Sequence, residues 1–333
     1  MQSMKKSRRK FLRESVAATA GLTTGLAAAG TPAPPRAELG KPDRVSHGPP
    51  SPLKVCVFSK HLHWLGYPQL AATAAELGFD GVDLTVRPDG HVLPERVTTD
   101  LPKAVEAVRK AGLEVYMLTT ALSDAAQPHA ETILKTAAGL GIRSYRTGWL
   151  DYQPGLDVPA NLDAFRRQLA ALAALNQKYG IRGEYQNHAG THLGAPLWDL
   201  WLVLKDLDPQ WTGCQYDIRH AVVESANAWP LGLQLLRPYI RTLDVKDFRW
   251  TDTNGKSTLE NVPLGTGMID FPKYFGLVKT YGLPGPLSLH LEYPLGGADQ
   301  GAKALTIPPE GVLAAMRRDL RTLRGWLTDA GLG

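Results

Sequence analysis

From Leu53 onward, short apolar runs alternate with longer stretches that place apolar residues on one helical face. The apolar runs predict eight strands, at Leu53–Ser59, Gly81–Val86, Glu114–Thr119, Ser144–Thr147, Arg182–Asn187, Gly213–Asp217, Thr242–Lys246 and Pro286–Glu292. The amphipathic stretches predict helices at Pro68–Leu77, Leu101–Ala111, Pro128–Leu140, Leu162–Tyr179, Leu197–Leu207, Leu231–Leu236, Phe271–Tyr281 and Pro308–Leu327. Such alternation is typical of a parallel sheet whose strands are joined by helical crossovers.

The same junction recurs where five of the predicted helices end. Each copy has a glycine, then an apolar residue, then a strand, and the glycines are Gly78, Gly112, Gly141, Gly180 and Gly282. Glycine ends helices well because it adopts positive φ without a Cβ clash. Eight strand–helix units favour an α/β fold, a single (β/α)8 TIM barrel. A doubly wound open sheet is the alternative, but no G-x-G-x-x-G motif follows the first strand.

The first 30 residues differ in composition from the rest of the chain. Arg8 and Arg9 precede an apolar stretch rich in Ala, Gly and Thr, which ends near three alanines at positions 27–29. This pattern predicts a twin-arginine signal peptide over residues 1–30. The apolar stretch is too short for the alternative, a membrane anchor. Residues 31–52 are rich in Pro and Gly and predict a flexible linker, which leaves the barrel at 53–330.

The charge balance depends on the same N-terminal segment. The chain has 37 Lys and Arg against 32 Asp and Glu, but six basic residues and one acid lie in residues 1–30, so 31 of each remain. A neutral remainder predicts no nucleic-acid partner. The signal predicts the twin-arginine export machinery as a partner, a periplasmic or extracellular location and no stable membrane anchor. Cys56 and Cys214 lie in predicted strands, where two buried free thiols are favoured over a disulfide.

Polar and titratable residues collect where the last four predicted strands end. The segments are GEYQNHAG, QYDIRH, LDVKD and HLEYP, and seven of the nine histidines lie in or just after predicted strands. In a parallel barrel the carboxyl ends of the strands and the loops after them form the active face. We therefore expect substrate contacts from residues near these ends: His61, Arg87, His91, Arg146, Trp149, Glu184, Arg249, Trp250 and His290. The tryptophans are either stacking surfaces or hydrophobic caps on the barrel.

The order and spacing of these segments resemble the xylose isomerase-like TIM barrels, also called the sugar phosphate isomerase/epimerase family. The marks are GFDGVDLTVRPDGHVLPE at strand two, the QNH of strand five, the D-x-x-H that begins at Asp217, the KD of strand seven and the HLEY of strand eight. The resemblance spans Leu53 to Leu327. It implies a carbohydrate substrate and one divalent metal ion, held by Glu, Asp, His and Glu from strands five to eight.

Carried over by position, the implied metal ligands are Gln186, Asp217, Asp244 and Glu292. Asp217 and Glu292 match the family pattern, whereas Gln186 stands for the usual Glu and Asp244 for the usual His. An all-oxygen set favours Mn²⁺ or Mg²⁺, with Ca²⁺ or Zn²⁺ as further candidates. Glu184, on the same face of strand five, is a candidate substitute ligand. In the alternative, the metal site has been lost and Asp244 pairs with an arginine.

The family chemistry implies roles for the same residues. The metal chelates a sugar carbonyl and its neighbouring hydroxyl, which acidifies the C–H bond between them, and a base then moves the proton. Because Gln186 cannot act as a base, Glu292 is the candidate base, with His188, His220 or Glu184 as its acid partner. Lys246 is a candidate for Schiff-base formation or for neutralising the acids beside it.

These inferences predict an exported isomerase- or epimerase-like enzyme that acts on an unphosphorylated sugar or keto-sugar, because sugar phosphates are intracellular. A lyase that cleaves 3-keto-glycosides by β-elimination is one alternative, since a single strong base suffices for it. A non-catalytic carbohydrate-binding barrel is the other alternative, because two ligand positions have changed.

Overall fold

Eight parallel strands close into a barrel in the computed structural model, which describes residues 52–333. They are β1 (Val55–Phe58), β2 (Gly81–Val86), β3 (Glu114–Thr120), β4 (Ser144–Arg146), β5 (Arg182–Gln186), β6 (Thr212–Asp217), β7 (Ile240–Val245) and β10 (Leu287–Leu289). Each pairs with its neighbours in chain order, and β10 closes the barrel between β7 and β1. The predicted single (β/α)8 barrel is confirmed. The predicted signal peptide, and the linker as far as residue 51, lie outside the described residues.

Helices cover the outside of the barrel. They are α1 (Tyr67–Leu77), α2 (Val97–Lys110), α3 (Ala130–Gly139), α4 (Val158–Tyr179), α5 (Leu197–Leu204), α6 (Ile218–Ser225), α7 (Trp229–Leu236), α8 (Phe271–Tyr281) and α9 (Pro309–Ala330). The five junction glycines all have positive φ, from 60° at Gly282 to 90° at Gly78. Their predicted role at helix ends is therefore confirmed. No helix within residues 52–333 is long and apolar enough to cross a membrane.

Alternation along the strands separates apolar from polar side chains. On β5, Tyr185 faces the outer layer, where its hydroxyl accepts a hydrogen bond from the Leu150 amide (3.0 Å). Its neighbours Glu184 and Gln186 therefore point into the barrel interior. The two cysteines, Cys56 and Cys214, are free and buried, as the sequence predicts.

An antiparallel hairpin of β8 (Asp247–Thr253) and β9 (Lys256–Val262) is inserted between β7 and α8. The sequence analysis did not predict it. The turn residues Asn254 and Gly255 have φ of 56° and 75°, as a tight hairpin turn requires. The signal was present, because Asn-Gly between two extended runs is a strong hairpin indicator.

Helix α6 is also missing from the predicted elements. It begins directly where β6 ends, and the Asp217 carboxylate accepts a hydrogen bond from the His220 amide (3.2 Å). This is the geometry of a helix N-cap, in which the side chain satisfies an unpaired amide of the first turn. The D-x-x-H motif thus fixes the positions of Asp217 and His220 relative to each other.

Candidate active site

Five polar side chains meet inside the barrel, at the ends of β5, β6 and β7 and just after β10. They are Gln186, Asp217, Asp244, Lys246 and Glu292, and we call them the Lys246 cluster. Four of them are at most 4% exposed, while the Glu292 side chain is 22% exposed. Strand register explains the meeting in part, since Asp217 is paired with Asp244 across β6 and β7. The barrel therefore brings together the four polar segments singled out in the sequence.

The Gln186 carboxamide connects two acids of the cluster. Its Nε2 donates to Asp217 Oδ2 (2.9 Å) and to Asp244 Oδ2, while its Oε1 accepts from Arg146 Nη1 (2.9 Å). Because a guanidinium can only donate, this last bond sets which end of the amide faces the acids. Asp244 also accepts from Gln215 Nε2 (2.6 Å).

The ammonium group of Lys246 lies between two carboxylates. Its Nζ is 3.0 Å from Asp217 Oδ2 and 3.1 Å from Glu292 Oε2. On the other side of Glu292, Lys60 Nζ lies 3.1 Å from Oε1. Sequence reasoning missed Lys60, although it stands in the polar run after the first strand, directly before His61. Glu292 is thus held between two ammonium groups.

These neighbours determine the charge of Glu292 and Lys246. Burial alone would raise the pKa of Glu292, but Lys246, His290 and Lys60 hold it well below its usual range. Burial acts to lower the pKa of Lys246, but the carboxylates of Asp217 and Glu292 raise it. Both side chains are therefore charged at neutral pH. Burial, and then the nearby Asp217 carboxylate, raise the pKa of Asp244 well above its usual range.

Two of the three predicted acid partners, His188 and His220, pack beside the cluster with ring centroids 3.9 Å apart. His188 Nδ1 bonds to the Ala189 carbonyl (2.8 Å), so this nitrogen carries the proton and Nε2 is an acceptor. His220 Nδ1 accepts from Arg219 Nη1 (3.0 Å), so its Nε2 carries the proton. Burial lowers both pKa values, that of His188 to about 4. Both rings are therefore neutral at pH 7.

His290 is an uncharged aromatic wall of the site. It stacks on the ring of Phe58, with centroids 4.2 Å apart. Its Nε2 lies 3.2 Å from Ser288 Oγ and 3.4 Å from Asp244 Oδ1. Burial lowers the pKa of His290 to about 3. The predicted substrate contact at His290 thus lies against the Lys246 cluster.

Three cations surround the Phe58 ring. Its centroid is 5.5 Å from Lys60 Nζ and 5.7 and 5.8 Å from the guanidinium carbons of Arg87 and Arg146. Arg146 also lies 5.1 Å from the ring of Trp149, which is 39% exposed. The predicted contacts Arg87, Arg146 and Trp149 therefore form a cationic and aromatic wall beside the cluster.

Glu184 lies deeper in the barrel than the sequence analysis expected. It is fully buried two residues before Gln186, and its carboxylate accepts a hydrogen bond from Thr242 Oγ1. Burial raises the pKa of Glu184 to about 7. Because Thr242 stands two residues before Asp244, this pair forms a layer beneath the cluster. The structure therefore offers no support for Glu184 as a substrate contact, substitute ligand or acid partner of Glu292.

Two other expected substrate contacts hold loops together. His61 Nδ1 bonds to the Ala298 carbonyl (3.1 Å), and its Nε2 accepts from the Leu291 amide (2.9 Å). Both ring nitrogens of His61 are thus used by the backbone. His91 Nε2 bonds to the Leu62 carbonyl (3.1 Å). Both were predicted as site residues because they are polar and lie near strand ends. The backbone groups that they bind belong to loops whose positions the sequence does not reveal.

Arg249 and Trp250 lie on the hairpin. Arg249 pairs with Glu260 of β9 (2.8 Å), and both side chains are about half exposed, at 49% and 45%. Trp250 is 47% exposed. Across residues 52–333, neither makes a hydrogen bond or ion pair with the Lys246 cluster. The sequence analysis placed them next to the strand ends because it had not predicted the hairpin.

As arranged, the cluster does not fit a divalent metal ion. Gln186 directs N–H groups at the acids, and Lys246 fills the space between Asp217 and Glu292. In the described part of the chain, no group of three or more His, Cys, Asp or Glu side chains is placed to hold a metal. Nor does Asp244 pair with an arginine there, as the alternative expectation had it. Two glutamine amides bind it instead.

A closed parallel barrel with acids, a lysine and imidazoles at the carboxyl ends of its strands is the architecture of TIM-barrel enzymes. The chain belongs to the xylose isomerase-like TIM barrel family, whose sequence profile matches residues 71–312. The resemblance drawn from the motifs is thereby confirmed. No curated protein matches this sequence.

Solved structures of two sugar epimerases and of a xylose isomerase-like protein share the fold. An L-ribulose 3-epimerase has a TM-score of 0.62 and 15% identity, covering 84% of this chain and 95% of its own. A 3-keto-D-glucoside 4-epimerase from E. coli has a TM-score of 0.58 and 16% identity, covering 82% and 99%. A xylose isomerase-like protein from Mycobacterium smegmatis, solved with magnesium, has a TM-score of 0.57 and 17% identity, covering 80% and 98%.

Proposed function

We propose that this chain is an isomerase- or epimerase-like enzyme that moves a proton next to the carbonyl of an unphosphorylated sugar or keto-sugar. The observation that carries the proposal is Glu292, a partly exposed carboxylate held between the ammonium groups of Lys246 and Lys60. A carboxylate can take a proton from carbon, and adjacent cations can stabilise the oxygen anion that results. The sugar epimerases that share this fold support a carbohydrate substrate.

In the proposed reaction, Glu292 removes the proton from the carbon beside the carbonyl. The C–H electron pair forms a C=C bond, and the carbonyl π pair moves to oxygen, which gives an enediolate. The ammonium groups of Lys246 and Lys60 stabilise the negative oxygen. Glu292 is partly exposed, so the proton it carries exchanges with solvent before one is delivered to the neighbouring carbon, while the hydroxyl proton moves between the two oxygens. The net result is isomerisation with one base.

A lyase that acts on 3-keto-glycosides is the second candidate. Epimerisation with a base on each face of the sugar needs a second base, and Gln186 is an amide, whereas elimination, like the isomerisation above, needs only one base. After Glu292 removes the proton, the electron pair forms a C=C bond and expels the glycosidic oxygen. His188 and His220 are neutral and therefore weak acids. Protonated Glu292 is the stronger acid and can return the same proton to the departing oxygen.

The proposed location is the periplasm or the extracellular space, reached by the twin-arginine route. Support comes from the sequence of residues 1–30, with its Arg8-Arg9 pair and short apolar stretch. An exported enzyme would meet unphosphorylated sugars, which agrees with the proposed substrate. The divalent metal, Mn²⁺ or Mg²⁺, stays a sequence expectation; a fold neighbour was solved with magnesium, and no step above uses a metal.

Hydrogen exchange tests the proposal. The purified protein is incubated in D2O with free ketoses and 3-keto-glucosides, and loss of the C–H signal beside the carbonyl is followed by NMR. We expect exchange with at least one sugar, and a rate about 10²–10⁴-fold lower in Glu292→Gln, because an amide cannot accept the proton. Glu260→Gln, on the half-exposed hairpin, is the matched control and should keep the wild-type rate.

The products separate the candidates. Exchange without release of an aglycone favours the isomerase, and release of the aglycone from a 3-keto-glucoside favours the lyase. If wild type and Glu292→Gln bind sugar equally and neither exchanges any C–H proton, the enzyme proposal is overturned in favour of a carbohydrate-binding barrel.

A further inference from the structure

We propose that the Lys246 ammonium and the Gln186 amide together replace a divalent cation in this site, so that its acids are satisfied without metal. Lys246 Nζ bridges Asp217 Oδ2 (3.0 Å) and Glu292 Oε2 (3.1 Å). The group that joins these two carboxylates is therefore part of the chain. The Lys246 side chain is 4% exposed, so its ammonium group lies inside the site and occupies the position between the two acids.

The orientation of the Gln186 amide also disfavours a metal ion. Arg146 Nη1 donates to Gln186 Oε1 (2.9 Å), so the amide oxygen is used and only N–H bonds face Asp217 and Asp244. Turning the amide to offer its oxygen to a cation would place its N–H groups against the guanidinium, which can only donate. The Gln186 orientation that a metal requires is therefore the one that Arg146 opposes.

Asp244 already has its donors. It accepts from the amides of Gln186 and Gln215 (2.6 Å for the latter), and His290 Nε2 lies 3.4 Å away. Each oxygen of the Asp244 carboxyl group is therefore already bound by an amide. A metal ion bound between Asp217 and Asp244 would have to displace both amides. It would also lie next to the buried ammonium group of Lys246.

The side-chain charges of the site balance without a metal. The carboxylates of Asp217 and Glu292 contact the ammonium groups of Lys246 and Lys60, which the chain itself supplies, while the Asp244 carboxyl group is bound by amides. An added divalent ion would leave an excess of positive charge in a buried site, which is costly.

The consequence for chemistry rests on the proposed function. When Glu292 takes the C–H proton, the carbonyl oxygen becomes negative. An N–H group of Lys246 then stabilises this charge in place of a metal ion. Lys246 thereby acts as a catalytic residue that touches the reacting oxygen. The reaction should proceed in the presence of chelator.

Manganese binding tests the inference without any substrate. Mn²⁺ is titrated into the full-length protein, previously treated with chelator, and free Mn²⁺ is measured by electron paramagnetic resonance. We expect no binding by the wild type at millimolar Mn²⁺. We expect Lys246→Met to bind Mn²⁺ at least about tenfold more tightly, because the acids lose their internal cation. Gln186→Glu should also bind Mn²⁺ more tightly than the wild type, because the substitution adds a carboxylate.

Lys178→Met is the matched control, because Lys178 also pairs with a glutamate, Glu131, but on the exposed surface. It should bind no more Mn²⁺ than the wild type. One equivalent of metal in the protein as purified, or wild-type Mn²⁺ binding as tight as that of Lys246→Met, would overturn the inference. The wild-type titration decides this even if a variant fails to fold. A lack of turnover with every sugar would instead count against the proposed function and leave the Mn²⁺ result standing.

Discussion

At the scale of single residues, the direction of hydrogen bonds decides what this site can bind. Gln186 has one acceptor atom, and Arg146 uses it, so the amide can only donate to Asp217 and Asp244. A glutamate at the same position would place a third acid beside these two. With the NH₂ group of Gln186 the neighbouring acids have a donor, whereas an oxygen in its place would leave them in need of a cation.

Glu184 gives a pH-dependent prediction at this scale. Burial raises its pKa in the folded protein to about 7, from an unfolded value of about 4.3. Between these values the folded state binds the proton more tightly, so the free energy of unfolding falls as the pH rises through this range and stays lower above it. In Glu184→Gln this side chain no longer titrates, so its contribution to the fall in the free energy of unfolding disappears. We expect its stability relative to wild type to increase between pH 5 and pH 8, by up to about 3 kcal/mol.

Urea unfolding of both proteins at the two pH values measures this difference. Glu76→Gln, with a side chain that is 75% exposed, serves as the surface control. Because any pH-independent cost of the amide cancels, an equal effect of Glu184→Gln at pH 5 and pH 8 would contradict the raised pKa.

The two exposed tryptophans give a prediction about substrate binding. Trp149 lies 4.4 Å from the His188 ring, beside the cluster, whereas Trp250 lies on the hairpin; they are 39% and 47% exposed. We expect Trp149→Ala to raise KM for the active sugar about five- to tenfold, because an aromatic face is worth about 1 kcal/mol. Trp250→Ala should leave KM within about twofold. Equal effects of the two substitutions would show that the hairpin also contacts the substrate.

At the scale of elements, consecutive residues after β7 serve different purposes. Lys246 turns into the site, while Asp247 accepts hydrogen bonds from the amides of Gly265 (3.0 Å) and Gly267 (2.9 Å). The glycine-rich PLGTGMIDF segment superficially resembles a phosphate cradle in the sequence. In the structure its amides bind Asp247, and so connect the end of β7 to the turn before α8.

Gly267 is the position where this connection leaves no room for a side chain. A Cβ there would lie 2.2 Å from Asp247 Oδ1 and 2.3 Å from the Phe248 carbonyl oxygen. We therefore expect Gly267→Ala to lower the free energy of unfolding by about 1–3 kcal/mol. Gly276→Ala, in the exposed middle of α8 where a Cβ has open space, should instead raise it by up to about 1 kcal/mol. Denaturant unfolding of the pair measures both, and a neutral Gly267→Ala would contradict the tight turn.

At the scale of the whole molecule, barrel closure assembles the site from distant parts of the chain. Lys60 and Glu292 are 232 positions apart and become neighbours because β10 pairs with β1. Lys246 reaches Glu292 because β10 also pairs with β7. The N- and C-terminal ends of the barrel meet as well, where the Leu53 amide donates to the Leu332 carbonyl (2.8 Å).

Local patterns were sufficient for much of this architecture. Short apolar runs between amphipathic stretches predicted all eight barrel strands, and the helix-ending glycines predicted the repeat, because both signals depend on a few adjacent residues. The same alternation correctly put Glu184 and Gln186 on one inner face. The hairpin at Asn254-Gly255 also has a local signal, but it interrupts the β/α repeat and so lies outside the pattern that predicted the other strands.

By itself, then, the amino-acid sequence determined the barrel and the end of it that carries the polar side chains, because strand order and chain direction follow from local pattern. Only the tertiary structure decided which of those side chains pair. In the structure His61 is hydrogen-bonded to the backbone and Glu184 lies in a buried layer. Lys246 lies between the two acids Asp217 and Glu292. The physical reason is that hydrogen-bond partners depend on strand register and on loops that close over long sequence separations, and no local pattern contains that information.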